Sequence, residues 1–203
     1  MRKTDHLLHV WELALIFSLC AAILTGAWAE GRQAKLSQQL VRLHVVAASD
    51  SACDQAEKLR VRDAILELLS PKLAAAKSAS EAAQIIRASK QECRLAAQRE
   101  TAKPVRVTLE TEHFPTRDYD GFSLPAGDYL ALRVTLGAGQ GHNWWCVLFP
   151  PLCTDSAISE RAVETLSNDD MRLITADGRD YILRFRVLEW WDTVKTWLKD
   201  SPS

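Results

Sequence analysis

The chain is 203 residues long, 47% hydrophobic and 25% charged, which is enough for one compact core plus a targeting segment. Its 25 Lys and Arg are matched by 26 Asp and Glu, so no overall field draws it to nucleic acid or to a strongly acidic partner.

Arg2 and Lys3 precede an apolar run from Leu13 to Leu24, broken only by Ser18. Ala27-Trp28-Ala29 then offers small residues at the positions a signal peptidase reads. The run is short of the roughly 20 apolar residues of a membrane span, and Glu12 limits it upstream. Residues 1–29 therefore read as a secretory signal cleaved after Ala29, in preference to a retained signal-anchor. Either way, the chain from Glu30 onward lies outside the cytoplasm. Residues 30–39 are polar and read as a tether, and residues 40–200 as a single domain. Export gives the cysteines a new meaning. With Cys20 in the signal, Cys53, Cys93, Cys146 and Cys153 form an even set in a compartment where disulfides persist.

Leu40–Ala47 is rich in β-branched residues and reads as a mostly buried strand ending at Ser49-Asp50-Ser51. Ser51 and Asp54 have capping-box spacing and open a helix whose apolar face is Val61, Ala64, Ile65, Leu68 and Leu69. Ser70-Pro71 should end it. A second helix starts at Ser78, with Glu81 completing a capping box, and its stripe of Ala82, Ile85, Ile86, Ser89, Cys93, Ala96 and Ala97 is dominated by small residues. The short connection makes an antiparallel helical hairpin, and counting outward from its turn brings Cys53 opposite Cys93, within disulfide reach.

Beyond Lys103-Pro104 the period changes to two. Val105, Val107 and Leu109 alternate with polar residues, and so do Leu130, Leu132, Val134 and Leu136. Gly137–Gly141 follows a strand but leads into Trp144–Phe149, a second β-type run, with no helix start and no Lys-Ser/Thr pair. It reads as a hairpin connection, not as a phosphate cradle. Tyr181–Val187 reads as a last strand, followed by an amphipathic helix carrying Trp190, Trp191, Val194, Trp197 and Leu198. That helix is expected to pack on the sheet, with peripheral membrane contact as the alternative. The fold class is thus α+β: a mixed or antiparallel sheet, an N-terminal helical hairpin on one face and a C-terminal amphipathic helix.

No catalytic set assembles from these residues. His142 and Cys146 lie close together, but no third group orients them and no helix start activates the thiol. Asp118, Asp120 and Asp128 lack the spacing of a calcium loop. No cofactor or metal is implied, and the chain is not read as an enzyme. His44, on an apolar strand, reads as structural. Alternation places Trp144 and Trp145 on opposite faces, one buried and the other a contact candidate.

Several of these stretches also carry a family pattern. Arg42-Leu43-His44-Val45-Val46-Ala47-Ala48-Ser49-Asp50-Ser51 is followed by Asp54-Gln55, Lys58 and Val61-Arg62-Asp63. Phe114-Pro115-Thr116-Arg117, Tyr119, Leu124-Pro125-Ala126-Gly127 and Tyr129 come next, then Gly139 through Cys153, reading GQGHNWWCVLFPPLC. Taken together they resemble stage II sporulation protein R, with Ala48 departing from the usual asparagine. The resemblance implies an exported signalling protein, made in the forespore and released between forespore and mother-cell membranes. Its partner there would be a membrane-embedded aspartyl protease that processes the sigma-E precursor. Aromatic and arginine side chains tend to dominate interfaces, so Phe114, Arg117, Tyr119, His142, Asn143, Trp144 and Trp145 are the candidate contacts. A Cys146–Cys153 bridge would close the last of these stretches. The alternative from a different class is an exported cell-wall or carbohydrate-binding module that uses the same tryptophans.

Overall fold

The structure, a computed structural model, describes residues 2–119 and 122–151, with side-chain detail from Trp11 onward except at 29–30. The expected strand Tyr181–Val187, the C-terminal helix and Cys153 lie outside the described residues.

The first helix, α1 (Arg2–Gln38), runs without a break through the expected signal and the expected tether. Trp11–Gln38 is long and apolar enough to cross a membrane, and its upstream side chains, including Trp11, Phe17 and Trp28, are exposed. This suits a signal peptide or anchor. Its last turns behave differently. Leu36 is fully buried and packs with Leu40 against the sheet, so residues 30–39 end in a docked helix and not in a free tether. Lys35 and Gln38 stay exposed on the outer side of that helix, while Leu36 and Ser37 are buried. Gln33 lies against the bare backbone of Gly127, where a Cβ would collide with it.

Strand β1 (Val41–Val46) leads into α2 (Ala52–Leu73), whose start is capped as expected: the Ser51 hydroxyl accepts the Asp54 N–H at 3.2 Å. The helix does not stop at Ser70. Pro71 lies within its last turns, where a missing N–H removes only one bond. Ala74 N–H still donates to Ser70 O at 3.0 Å, and Leu73 gains a buried position. Helix α3 (Ala79–Arg99) starts with Ser78 accepting from the Glu81 N–H, and the Glu81 carboxylate accepts from the Lys77 N–H at 2.9 Å. The two helices form the expected hairpin, yet Cys53 and Cys93 are free thiols. Counting along the hairpin brings their turns level but ignores their faces. Cys93 points into the core, whereas Cys53 is exposed with its sulfur 4.0 Å from a Glu57 oxygen.

The remaining strands are β2 (Val105–Phe114), β3 (Arg117–Tyr119), β4 (Phe122–Leu124), β5 (Gly127–Leu136) and β6 (Asn143–Phe149). Four of them make a mixed sheet in the order β2-β5-β1-β6, and β3 and β4 form a separate two-stranded ribbon. Here the expected hairpin fails. β5 and β6 are not neighbours: β1 lies between them, parallel to β5 and antiparallel to β6. The glycine-rich segment arches over the end of β1, where Gln140 and Gly141 donate their N–H groups to Ala48 O and Ala47 O at 3.2 and 3.0 Å. A Cβ on Gly141 would stand 2.2 Å from Ser49 O, and Gly139 has φ of +63°. The glycines therefore serve close passage over another strand, a need that looks the same in sequence as a flexible turn.

Alternation along β1 sorts the two faces of the sheet. Leu43 and Val45 point to α2 and α3, where they join Ile65, Leu69, Ile86 and Leu132 in an apolar core. Arg42 and His44 point to the other face, beneath the β3–β4 ribbon and the end of α1.

Candidate functional site

Asn143, Trp144 and Trp145 are the first residues of β6, and two polar clusters fix where they sit. The first cluster ties the start of α2 to the arch. Ser49 Oγ donates to Asp54 at 2.6 Å, and Gln55 Nε2 donates to Ser49 O at 2.9 Å. Lys58, 5% exposed, donates to Gln55 Oε1 at 2.5 Å and to His142 O at 3.1 Å. Burial lowers its pKa, and these carbonyl-type oxygens solvate its charge in place of water. Asp50 accepts the His142 N–H at 2.6 Å and also contacts the ring Nδ1. Those hydrogen bonds, the backbone one first, hold the Asp50 carboxyl below its usual range.

Cys53, Asp54 and Glu57 place possible ligand atoms within 4.8 Å of one another. Lys103 already supplies the cation: its ammonium lies 2.7 Å from Asp54 and 2.9 Å from Glu57. Hydrogen bonding to Lys103 lowers both carboxyl pKa values, and the same bonds raise that of the lysine. The group serves as an ion-pair clasp between α2 and the segment before β2.

The second cluster fills the ribbon face. His44 Nδ1 lies 2.7 Å from Glu112, its Nε2 lies 3.0 Å from Asn143 Oδ1, and Arg133 approaches the other Glu112 oxygen at 3.8 Å. Arg42 is fully buried, with its guanidinium 4.0 Å from the Phe114 ring centroid and 5.0 Å from that of Tyr129. It donates through Nη2 to the Tyr119 hydroxyl at 2.5 Å, while Nε and Nη1 have no partner among the described residues. Burial lowers the pKa of Arg42 and raises those of Tyr119 and Tyr129.

The seven candidate contacts divide accordingly. Phe114 is fully buried and supports Arg42, so it is core and not a contact surface. Arg117, His142 and Asn143 are exposed, whereas Tyr119, Trp144 and Trp145 are half-buried. The two tryptophans do face opposite ways, but neither is wholly buried or bare. Arg62 covers Trp144 at 4.4 Å on the helix side, and Arg117 covers Trp145 at 3.8 Å on the ribbon side. Arg117, Tyr119, Asn143 and Trp145 come together on the ribbon face; His142 and Trp144 belong to the arch and the helix side.

The conceivable His142–Cys146 nucleophilic pair is not assembled. Cys146 is buried and disulfide-bonded, and His142 is engaged with Asp50. Arg42 and Lys58 enter the sequence reading only within the family pattern, and Lys103 only at the change of period, with no role for any of them. For Arg42 a signal was present: period two places Arg42 and His44 on one face of an otherwise apolar strand.

Residues 37–159 match the family described as Stage II sporulation protein R. The Stage II sporulation protein R of Bacillus subtilis (strain 168) is 37% identical over 134 residues, or 64% of this chain and 60% of that relative's length. No solved structure matches the chain.

Proposed function

Because this chain belongs to the stage II sporulation protein R family, we propose that it is an exported sporulation signal that activates a membrane-embedded aspartyl protease, which then processes the sigma-E precursor in the mother cell. The resemblance supplies the partner and the location between the forespore and mother-cell membranes. The N-terminal apolar helix is compatible with export, either as a cleaved signal or as an anchor. The chain acts by contact: binding one state of the protease more tightly shifts its equilibrium toward the active form.

One observation supports the ribbon face as the contact surface: exposed Arg117 stacked on Trp145, above a buried and partly unpartnered Arg42. Such aromatic and arginine groups are the usual anchors of an interface. A sugar-binding platform needs open tryptophan faces, and here both indoles lie under guanidinium groups. A Cys146–Cys153 bridge, closing the chain just beyond β6, belongs to the same reading.

Co-expression of the chain, the protease and the sigma precursor in a non-sporulating host tests the proposal. Precursor cleavage that depends on the chain is the expected result. Cleavage unchanged by its presence overturns the signalling role.

A further inference from the structure

A buried arginine normally has a carboxylate or a set of carbonyl groups around it, because a charge removed from water without such partners costs several kcal/mol. Arg42 has neither. Its surface is closed by the rings of Phe114 and Tyr129, and its one acceptor is the neutral hydroxyl of Tyr119. Nε and Nη1 are left without partners among the described residues. The nearby charged group is a second cation: Arg117 lies close enough to disfavour the charge on Arg42. Among the described residues, neither guanidinium forms an ion pair with a carboxylate. An arginine stays ionised in such a place, so the pair is a positive site that lacks its anion.

From this we infer that Arg42 and Arg117 form a carboxylate receptor, which Tyr119 occupies in the free protein. A carboxylate gripped by both oxygens needs Nη2 of Arg42 together with Nε or Nη1. Nη2 is the atom that Tyr119 holds. Displacing one hydroxyl therefore opens the fork, and Arg117, already on the outer face of Trp145, closes over the incoming group. Tyr119 lies on a ribbon of two three-residue strands, a unit too small to be stable alone, so its position depends on contacts such as this hydroxyl. The natural ligand is a carboxylate on the partner protein, from an acidic side chain or a chain terminus. That identification rests on the signalling interface proposed above.

The test uses the full-length chain in detergent micelles with nitrogen-labelled arginine side chains. The Nε–H signal of Arg42, assigned with Arg42→Lys, is followed by NMR during titration with N-acetylaspartate amide, N-acetylglycine or phosphate at constant ionic strength. A saturable shift with a carboxylate is expected, and whichever of the first two binds tighter identifies a side-chain or a terminal source. Tyr119→Phe removes the competing acceptor and should tighten binding by about tenfold, whereas Arg117→Gln should weaken it by a similar factor. A purely structural Tyr119 would not produce that gain. If Arg42→Lys fails to fold, the other two variants retain Arg42 and carry the test.

No shift with either carboxylate, tighter binding of phosphate, or weaker binding after Tyr119→Phe would each overturn the receptor. Precursor processing separates the two readings. Carboxylate binding with normal processing by Arg117→Gln removes the link to the protease but leaves the site. Processing lost by Arg117→Gln, when the unsubstituted chain itself binds no carboxylate, leaves the interface and removes the receptor.

Discussion

The two faces of the sheet are built on different principles. Under α2 and α3, Leu43, Val45, Ile65, Leu69, Ile86 and Leu132 make a core in which side-chain volume is the main requirement. Under the ribbon, the same strand contributes Arg42 and His44, with Glu112, Arg133 and three aromatic rings around them. The helix face has the composition that stability alone selects. The ribbon face carries buried charge, which is a poor way to gain stability when apolar residues would fit. Lys58 and Asp54 are also buried, on α2, but oxygens or a cation meet each of them, whereas Arg42 keeps two nitrogens without a partner among the described residues.

This contrast can be tested by substitution. The largest effect is expected on the helix face, where Leu132→Ala should cost about 2–5 kcal/mol in urea unfolding. Signalling should fall only as far as the folded fraction does. Gly141→Ala comes next, since its Cβ would meet Ser49 O; overpacking of this kind costs about 1–3 kcal/mol and should displace Trp144 and Trp145, read as altered tryptophan fluorescence. Arg117→Gln should cost less than about 1 kcal/mol of stability, the scale of an exposed cation–π contact. Precursor processing should nevertheless drop severalfold, which separates recognition from folding.

Smaller effects report on the clasp and the thiols. Asp54 and Glu57 have folded pKa values below their ordinary 3.8 and 4.5, so their contribution is complete above those values and fades as pH falls through the folded ones. Lys103→Met should flatten that acid limb, measured as unfolding midpoints between about pH 5 and pH 2. Iodoacetamide should alkylate exposed Cys53 and spare Cys93, whose thiol is pushed up to about 11 by burial. Equal protection of both would point to a bridge.

Local chemistry made much of this architecture legible. Ser51 and Ser78 marked both helix starts, alternation marked β2 and β5, β-type composition marked β1 and β6, and the opposed tryptophans followed from a period of two. Strand order did not follow, because a glycine-rich arch over β1 and a glycine-rich hairpin use the same residues. The tether misled for a related reason: composition is dominated by polar residues, while buried Leu36 and the contact of Gln33 with Gly127 dock the helix. Cys53 and Cys93 show the limit of counting along helices, since level turns do not ensure facing side chains. At the candidate site, the aromatic residues and Arg117 were visible, but not which arginine covers which indole. Arg62 and Arg117 reach Trp144 and Trp145 through tertiary packing, and Arg42 stands in a strand read as mostly buried, where its shared face with His44 was the one signal of its role.

The place of β1 at the centre of the sheet has a consequence for the timing of folding. Its partners are residues 130–135 on one side and 143–149 on the other, so neither edge can form when β1 is made. Contacts of such long range are slow to form, and until β5 exists the chain can assemble little beyond local helices. A secretion channel that threads an extended polypeptide would meet almost no folded resistance from this domain. The topology postpones the sheet until nearly the whole described chain has passed.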